Sequence, residues 1–108
     1  MARWPWVVTL RVRAPAAAGR VRFTSKARLE LKALILPLGH DGALDVLASL
    51  TPDEASEQLR SSVSGEWLYV YRPLVAGVSL YIKLALREDC VVISFHPEEA
   101  QGEEEIPI

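Results

Sequence analysis

Residues 67–96 read WLYVYRPLVAGVSLYIKLALREDCVVISFH, and their periodicity decides the fold class. Val78, Leu80, Ile82, Leu84 and Leu86 alternate with Ser79, Tyr81, Lys83, Ala85 and Arg87. An extended chain with this pattern puts aliphatic groups on one face and functional groups on the other, which is a half-exposed strand. Trp67 to Arg72 before it is aromatic and β-rich and stops at Pro73. Cys90 to His96 after it is a nearly continuous apolar strand entered through Glu88-Asp89. The links Pro73 to Gly77 and Arg87 to Asp89 are too short for a parallel crossover, so three antiparallel neighbours are expected.

Upstream of this meander the signals are helical. Thr24 or Ser25 can cap a helix through Lys26, Ala27, Leu31 and Leu34 that ends before Pro37 and Gly39. Asp41 can cap a second helix over Ala43 to Ser49. Thr51-Pro52-Asp53-Glu54 has the hydroxyl, the proline and the glutamate of a capping box, and predicts a third helix running to about Ser61. Before Gly19 the signals conflict: Val7, Val8, Thr9 and Val12 favour a strand and Pro15 obstructs a helix, whereas Ala16 to Ala18 favour one. Helices followed by strands make an α+β domain, with the helices packed on a small antiparallel β-sheet formed mainly by the C-terminal third.

The chain of 108 residues, half of them apolar and 24% charged, suits one domain with one core, expected over residues 1–97. Residues 98–108 are expected to be an acidic flexible tail. No apolar run approaches the roughly 20 residues that cross a bilayer, and residues 1–13 lack the pattern of a cleaved leader, so a cytoplasmic protein without a membrane partner is expected. Cys90 is the single cysteine and cannot form an internal disulfide. Net charge is −2, but residues 1–32 carry eight bases against Glu30 alone: Arg3, Arg11, Arg13, Arg20, Arg22, Lys26, Arg28 and Lys32. Such a basic half can meet phosphates or simply be solvated surface.

No glycine-rich phosphate loop, nucleophile elbow or pair of histidines at metal-ligand spacing is present, so neither a metal nor a cofactor is expected. What remains is a set of hydroxyls, bases and one imidazole. Tyr81 and Lys83 share a face of one strand, and Ser94 and His96 share a face of the next. A phenol, an ammonium and an imidazole together suit metal-free RNA cleavage, with a base for the 2′-OH proton, a cation for the phosphorane and an acid for the 5′-oxygen. The competing reading makes them ordinary strand residues. Arg72, following Tyr69, Val70 and Tyr71, suits a site where a base stacks and a phosphate is held, unless the aromatics are core and Arg72 a turn residue.

The succession Val70-Tyr71-Arg72-Pro73, Leu80-Tyr81-Ile82-Lys83-Leu84 and Val91-Val92-Ile93-Ser94-Phe95 resembles the V-Y-R-P, Y-x-K and I-V-S-F motifs of the MqsR family. Gly19-Arg20-Val21-Arg22 with Thr24 and Ala27 is similar to that family's A-G-x-V-x-x-T stretch, so the resemblance covers roughly Gly19 to Phe95. It implies a RelE-like fold, the toxin of a type II toxin–antitoxin system, a ribosome-independent endoribonuclease acting on mRNA, and a neighbouring antitoxin protein, expected to carry a helix-turn-helix DNA-binding domain. The family's cleavage residues are a lysine before the sheet, a glutamine after the tryptophan preceding V-Y-R-P, the tyrosine of Y-x-K, and a lysine after S-F. Transferred one at a time, the tyrosine is Tyr81, but the glutamine position holds Leu68, the last lysine is His96, and the first falls at Glu57 or Ser56.

On this reading Tyr81 and His96 transfer protons, Lys83 and Arg72 bind phosphate, and Arg20, Arg22, Lys26, Arg28, Arg60 and Tyr71 contact RNA. Arg60 enters as a substitute cation one helical turn past Glu57. The alternative is a catalytically inactive module of the same fold that binds a partner protein or RNA, motivated by Glu57 and Leu68.

Overall fold

The computed structural model of the protein describes residues 3–98, so all of the expected acidic tail except Glu98 lies outside the described residues. In chain order the elements are α1 (Trp4–Ala17), β1 (Val21–Phe23), α2 (Ser25–Ala33), α3 (Gly39–Ala48), a 3-10 turn (Pro52–Glu54), β2 (Ala55–Arg60), β3 (Trp67–Tyr71), β4 (Leu74–Val75), β5 (Val78–Leu86) and β6 (Cys90–Pro97). The sheet order is β1-β6-β5-β3-β2, with β4 paired to β5. The fold is α+β, and the sheet is mixed. β2, β3, β5 and β6 pair antiparallel in turn, while β1 lies parallel to β6 with Val21, Arg22 and Phe23 opposite Cys90, Val91 and Val92. The long route between these two strands through α2, α3 and the meander leaves ample chain for a parallel return.

The segment before Gly19 resolves as helix. Pro5 sits in its first turn, where a missing N–H costs nothing, and Pro15 falls in its last turn, removing only the bond to the Arg11 carbonyl. Val8, Val12 and Ala16, spaced by four, form its buried stripe. Thr9 is also buried, and its Oγ1 lies 2.6 Å from the Tyr71 hydroxyl, tying α1 to β3. Trp4 packs tilted on Tyr69 at 5.4 Å. Tyr69, Tyr71, Leu80, Ile82, Leu84, Val92 and Phe95 therefore make the face on which the helices close the core. Among the described residues no helix is long and apolar enough to cross a membrane.

The third helix is corrected by the structure. The capping box forms, with the Thr51 N–H donating to Glu54 Oε1 at 2.9 Å, but it closes only the 3-10 turn. From Ala55 onward residues alternate between half-buried and exposed, and the segment pairs with β3 as an edge strand. A capping box satisfies the donors of one turn; the path of the chain beyond that turn is set by which face it can bury. A helix here would strand the open edge of β3.

Candidate active site

Two register slips aim the functional side chains. In β6, Val92 faces Leu84 and Ser94 faces Lys83, leaving Ile93 as an extra residue. Beyond this bulge Phe95 enters the core, while Ser94 and His96 turn to the face away from the helices. Thr24 holds the bulge. Its N–H donates to the Val92 carbonyl at 3.0 Å and its hydroxyl to the Ile93 carbonyl at 3.3 Å, while Oγ1 caps α2 by accepting from Ala27 N–H at 3.1 Å. In β2 the slip at Ser56 puts Glu57 opposite Val70, on the same open face, where a regular ladder would have put it opposite Tyr69.

His96 and Tyr81 are cross-strand partners, stacked at 5.0 Å with 16° between their planes. Arg72 approaches the same phenol ring, its guanidinium carbon 5.4 Å from the centroid. Tyr81 is only 5% exposed, so the half-open strand is more enclosed than its alternation predicts. The His96 Nδ1 lies 2.8 Å from the Pro97 carbonyl oxygen, which can only accept, so Nδ1 carries a proton and, in the neutral ring, Nε2 is the nitrogen with the lone pair. Lys83 sits two residues from Tyr81 on the same face, opposite Ser94. Lys26 reaches this face from α2: its Nζ donates to Ser94 Oγ at 2.9 Å and pairs with Glu30 at 2.9 Å. Glu30 in turn accepts the Phe95 N–H at 2.9 Å, covering the edge of β6 where β1 ends.

Tyr81, His96, Lys83 and Arg72 thus meet on one surface, joined by Lys26. Glu57 and Glu98, which sequence reasoning left out of the site, meet them there. Arg72 is gripped between the two carboxylates, at 3.0 Å from Glu57 and 2.7 Å from Glu98, and its Nε is buried with no partner among the described residues. The Ser79 hydroxyl donates to Glu98 at 2.6 Å, and that bond, with Arg72 beside it, holds the Glu98 carboxyl below the usual carboxylate range despite some desolvation. The signal for Glu57 was the acidic residue where the family pattern has lysine; Glu98 gave none.

Other expected RNA contacts lie elsewhere. Tyr71 is fully buried with its hydroxyl on Thr9, and burial raises its phenol above the usual range; it has no ring face to offer a base. Arg60 pairs with Trp67 and lies 4.1 Å over its ring, on the face opposite Glu57. On a strand, positions three apart point in opposite directions, so the expected substitution for Glu57 fails. Arg20 lies near the end of α1, lining a cleft with Arg11 and Asp89, and Arg22 and Arg28 line a separate cavity beside β1. Among the described residues no three His, Cys, Asp or Glu side chains cluster to hold a metal.

The family described as "Motility quorum-sensing regulator, toxin of MqsA" matches the chain over residues 7–97. No curated protein matches it.

Proposed function

Since the chain belongs to the MqsR toxin family, a family of toxins from toxin–antitoxin systems, we propose that it is a sequence-specific endoribonuclease that cleaves mRNA without a metal, by 2′-OH attack on the scissile phosphate. The observation that carries this reading is the Tyr81–His96 stack with Arg72 against it and two ammonium groups on the same surface. His96 Nε2, left free by the Nδ1 bond, accepts the 2′-OH proton as the oxygen attacks phosphorus. The Tyr81 phenol gives a proton to the departing 5′-oxygen. Lys83 and Lys26 face the charge that builds on the phosphorane. The products are a 2′,3′-cyclic phosphate and a 5′-hydroxyl. Arg72 joins phosphate binding when the RNA displaces Glu98 or Glu57. The natural setting is the cytoplasm, with an antitoxin protein bearing a helix-turn-helix domain as the neutralising partner.

The test is incubation of the purified protein with RNA and mapping of the ends produced. Cyclic phosphate and 5′-hydroxyl ends are expected, and Tyr81→Phe or His96→Ala should slow cleavage by about 10²–10⁴-fold while leaving the fold intact. Induced expression should arrest growth, and the same variants should relieve the arrest.

The Arg72 clamp favours a second reading: two carboxylates against the one guanidinium of the site repel phosphate, as suits an inactive module binding a protein partner. Tight binding to the product of the adjacent gene, with no RNA cleaved, selects it. Cleavage that disappears with Tyr81→Phe removes it.

A further inference from the structure

A sizeable cavity among the described residues lies outside the Tyr81–His96 cluster. It measures about 550 Å³, within the range of small-molecule sites, and is bounded by β1, the start of α2 and the end of β5. Arg22, Arg28, Arg87 and His40 line it, and no carboxylate does. Arg87 is already matched, since Glu66 takes its Nε and a terminal nitrogen at 3.1 and 2.7 Å. Arg22 and Arg28 have no carboxylate partner among the described residues, and both are exposed. The His40 ring stands edge-on to Phe23 at 5.4 Å, which braces it at the rim. Thr24 also lines the cavity, but its hydroxyl is spent on the Ala27 N–H and the Ile93 carbonyl.

We propose that this cavity is a nucleotide subsite, in which Arg22 and Arg28 clasp a phosphate of the RNA strand and His40 offers its ring to the adjoining base. Unpaired guanidinium forks suit phosphate oxygens, and imidazole is among the rings on which unstacked RNA bases lie. The placement favours RNA over an isolated anion. Val21 and Phe23 point into the core, so Arg22 between them faces the same open side as His96 and Tyr81. Arg22 is opposite Val91 and Tyr81 is opposite His96, with Lys26 on Ser94 between. A strand of RNA laid along β6 for about 15 Å, at about 3.3 Å per residue, meets cations at the end, the middle and the reacting centre. The subsite holds a nucleotide flanking the cut and contributes to the choice of target sequence. It rests on the endoribonuclease reading, and its test is separable from cleavage.

The probe is a labelled eight-nucleotide RNA with 2′-O-methyl groups throughout, which binds but cannot be cut. Its affinity for the full chain is measured by fluorescence anisotropy across a salt series. Each single-stranded phosphate neutralised contributes about 0.7 to the slope of log K against log [salt], and since Arg22 and Arg28 share one phosphate, Arg22→Ala with Arg28→Ala should flatten the slope by about 0.7. His40→Ala should weaken binding with the slope unchanged. Arg87→Ala with Glu66→Ala, which removes the matched pair together, should leave the slope unchanged. An unaltered affinity and slope in the double variant overturns the subsite, even if wild-type protein cleaves RNA. Cleavage absent from the wild type, with the double variant still flattening the slope, sinks the endoribonuclease reading and keeps the subsite. If the double variant loses the antitoxin and binds the RNA as before, the cavity belongs to the protein partner and the inference fails. Circular dichroism of each variant checks that these exposed substitutions leave the fold intact.

Discussion

Tyr71→Phe removes one oxygen from a side chain that is fully buried, and nothing else. The ring keeps its packing against Trp4, whose centroid is 6.4 Å away. What changes is Thr9, 2% exposed, whose hydroxyl loses its 2.6 Å partner. An orphaned buried hydroxyl costs about 1–3 kcal/mol. Thr9 lies in α1 and can turn its hydroxyl to the carbonyl four residues back, which places Tyr71→Phe toward the lower end. Thr9→Val orphans the phenol, which has no such local acceptor, and belongs toward the upper end. At about 4–8 °C per kcal/mol for a domain of this size, the two singles should melt roughly 5–20 °C below wild type. The double variant replaces both partners by apolar groups of similar shape and should recover most of the loss. Thermal and urea denaturation followed by far-ultraviolet circular dichroism gives all four corners of the cycle. Additive losses in the double variant, with no coupling between the sites, would refute the assignment of Tyr71 to the core bond. At a temperature where every variant is folded, RNA cleavage should be unchanged by Tyr71→Phe.

Four further outcomes are expected. Ala76 and Gly77 join β4 to β5 with φ of 49° and 82°, the two positive values of a type I′ turn, so Ala76→Asn should stabilise the protein by about 0.5–1 kcal/mol in chemical denaturation. Burial pushes the Cys90 thiol up to about 12, so the native protein should resist an aromatic disulfide reagent at pH 8 until it unfolds. Because the folded value is the raised one, this contribution to stability is complete below the unfolded thiol value of about 8.5 and is lost as pH climbs toward 12; Cys90→Ala should flatten that decline in alkaline denaturation. Glu57→Gln with Glu98→Gln opens the clamp on Arg72, and the salt slope for the uncleavable RNA should steepen by about 0.7; an unchanged slope takes Arg72 off the RNA path.

The strands of the C-terminal third were readable because alternation in β5 and the apolar run of β6 are enforced by burial on one face or both. Periodicity alone did not give the Tyr81–His96 pairing: an unbroken ladder from Leu86–Cys90 would set Tyr81 opposite Phe95, and the bulge at Ile93, which the sequence does not advertise, brings His96 there instead. β1 escaped because three residues are too few to show a period, and its partner is β6, far along the chain. β2 escaped because a local cap signal is strong while its pairing with β3 is a tertiary fact. In α1, buried contacts outweigh the β preference of Val7, Val8, Thr9 and Val12, with both prolines at the ends where they do least harm. Tyr71 was misplaced on the surface because a tyrosine looks the same in sequence whether its hydroxyl meets water or Thr9.

β6 lies between β1 and β5, accepts hydrogen bonds from Thr24 and Lys26, donates one to Glu30, and supplies the imidazole that covers Tyr81. It is also the last of the six strands to leave the ribosome. During synthesis the chain carries Lys26, Tyr81 and Lys83 without the strand that arranges them, and contacts this distant in sequence cannot form early. Under the endoribonuclease activity proposed above, this order has a consequence: a nascent chain from which β6 has not yet emerged carries no assembled cutting surface.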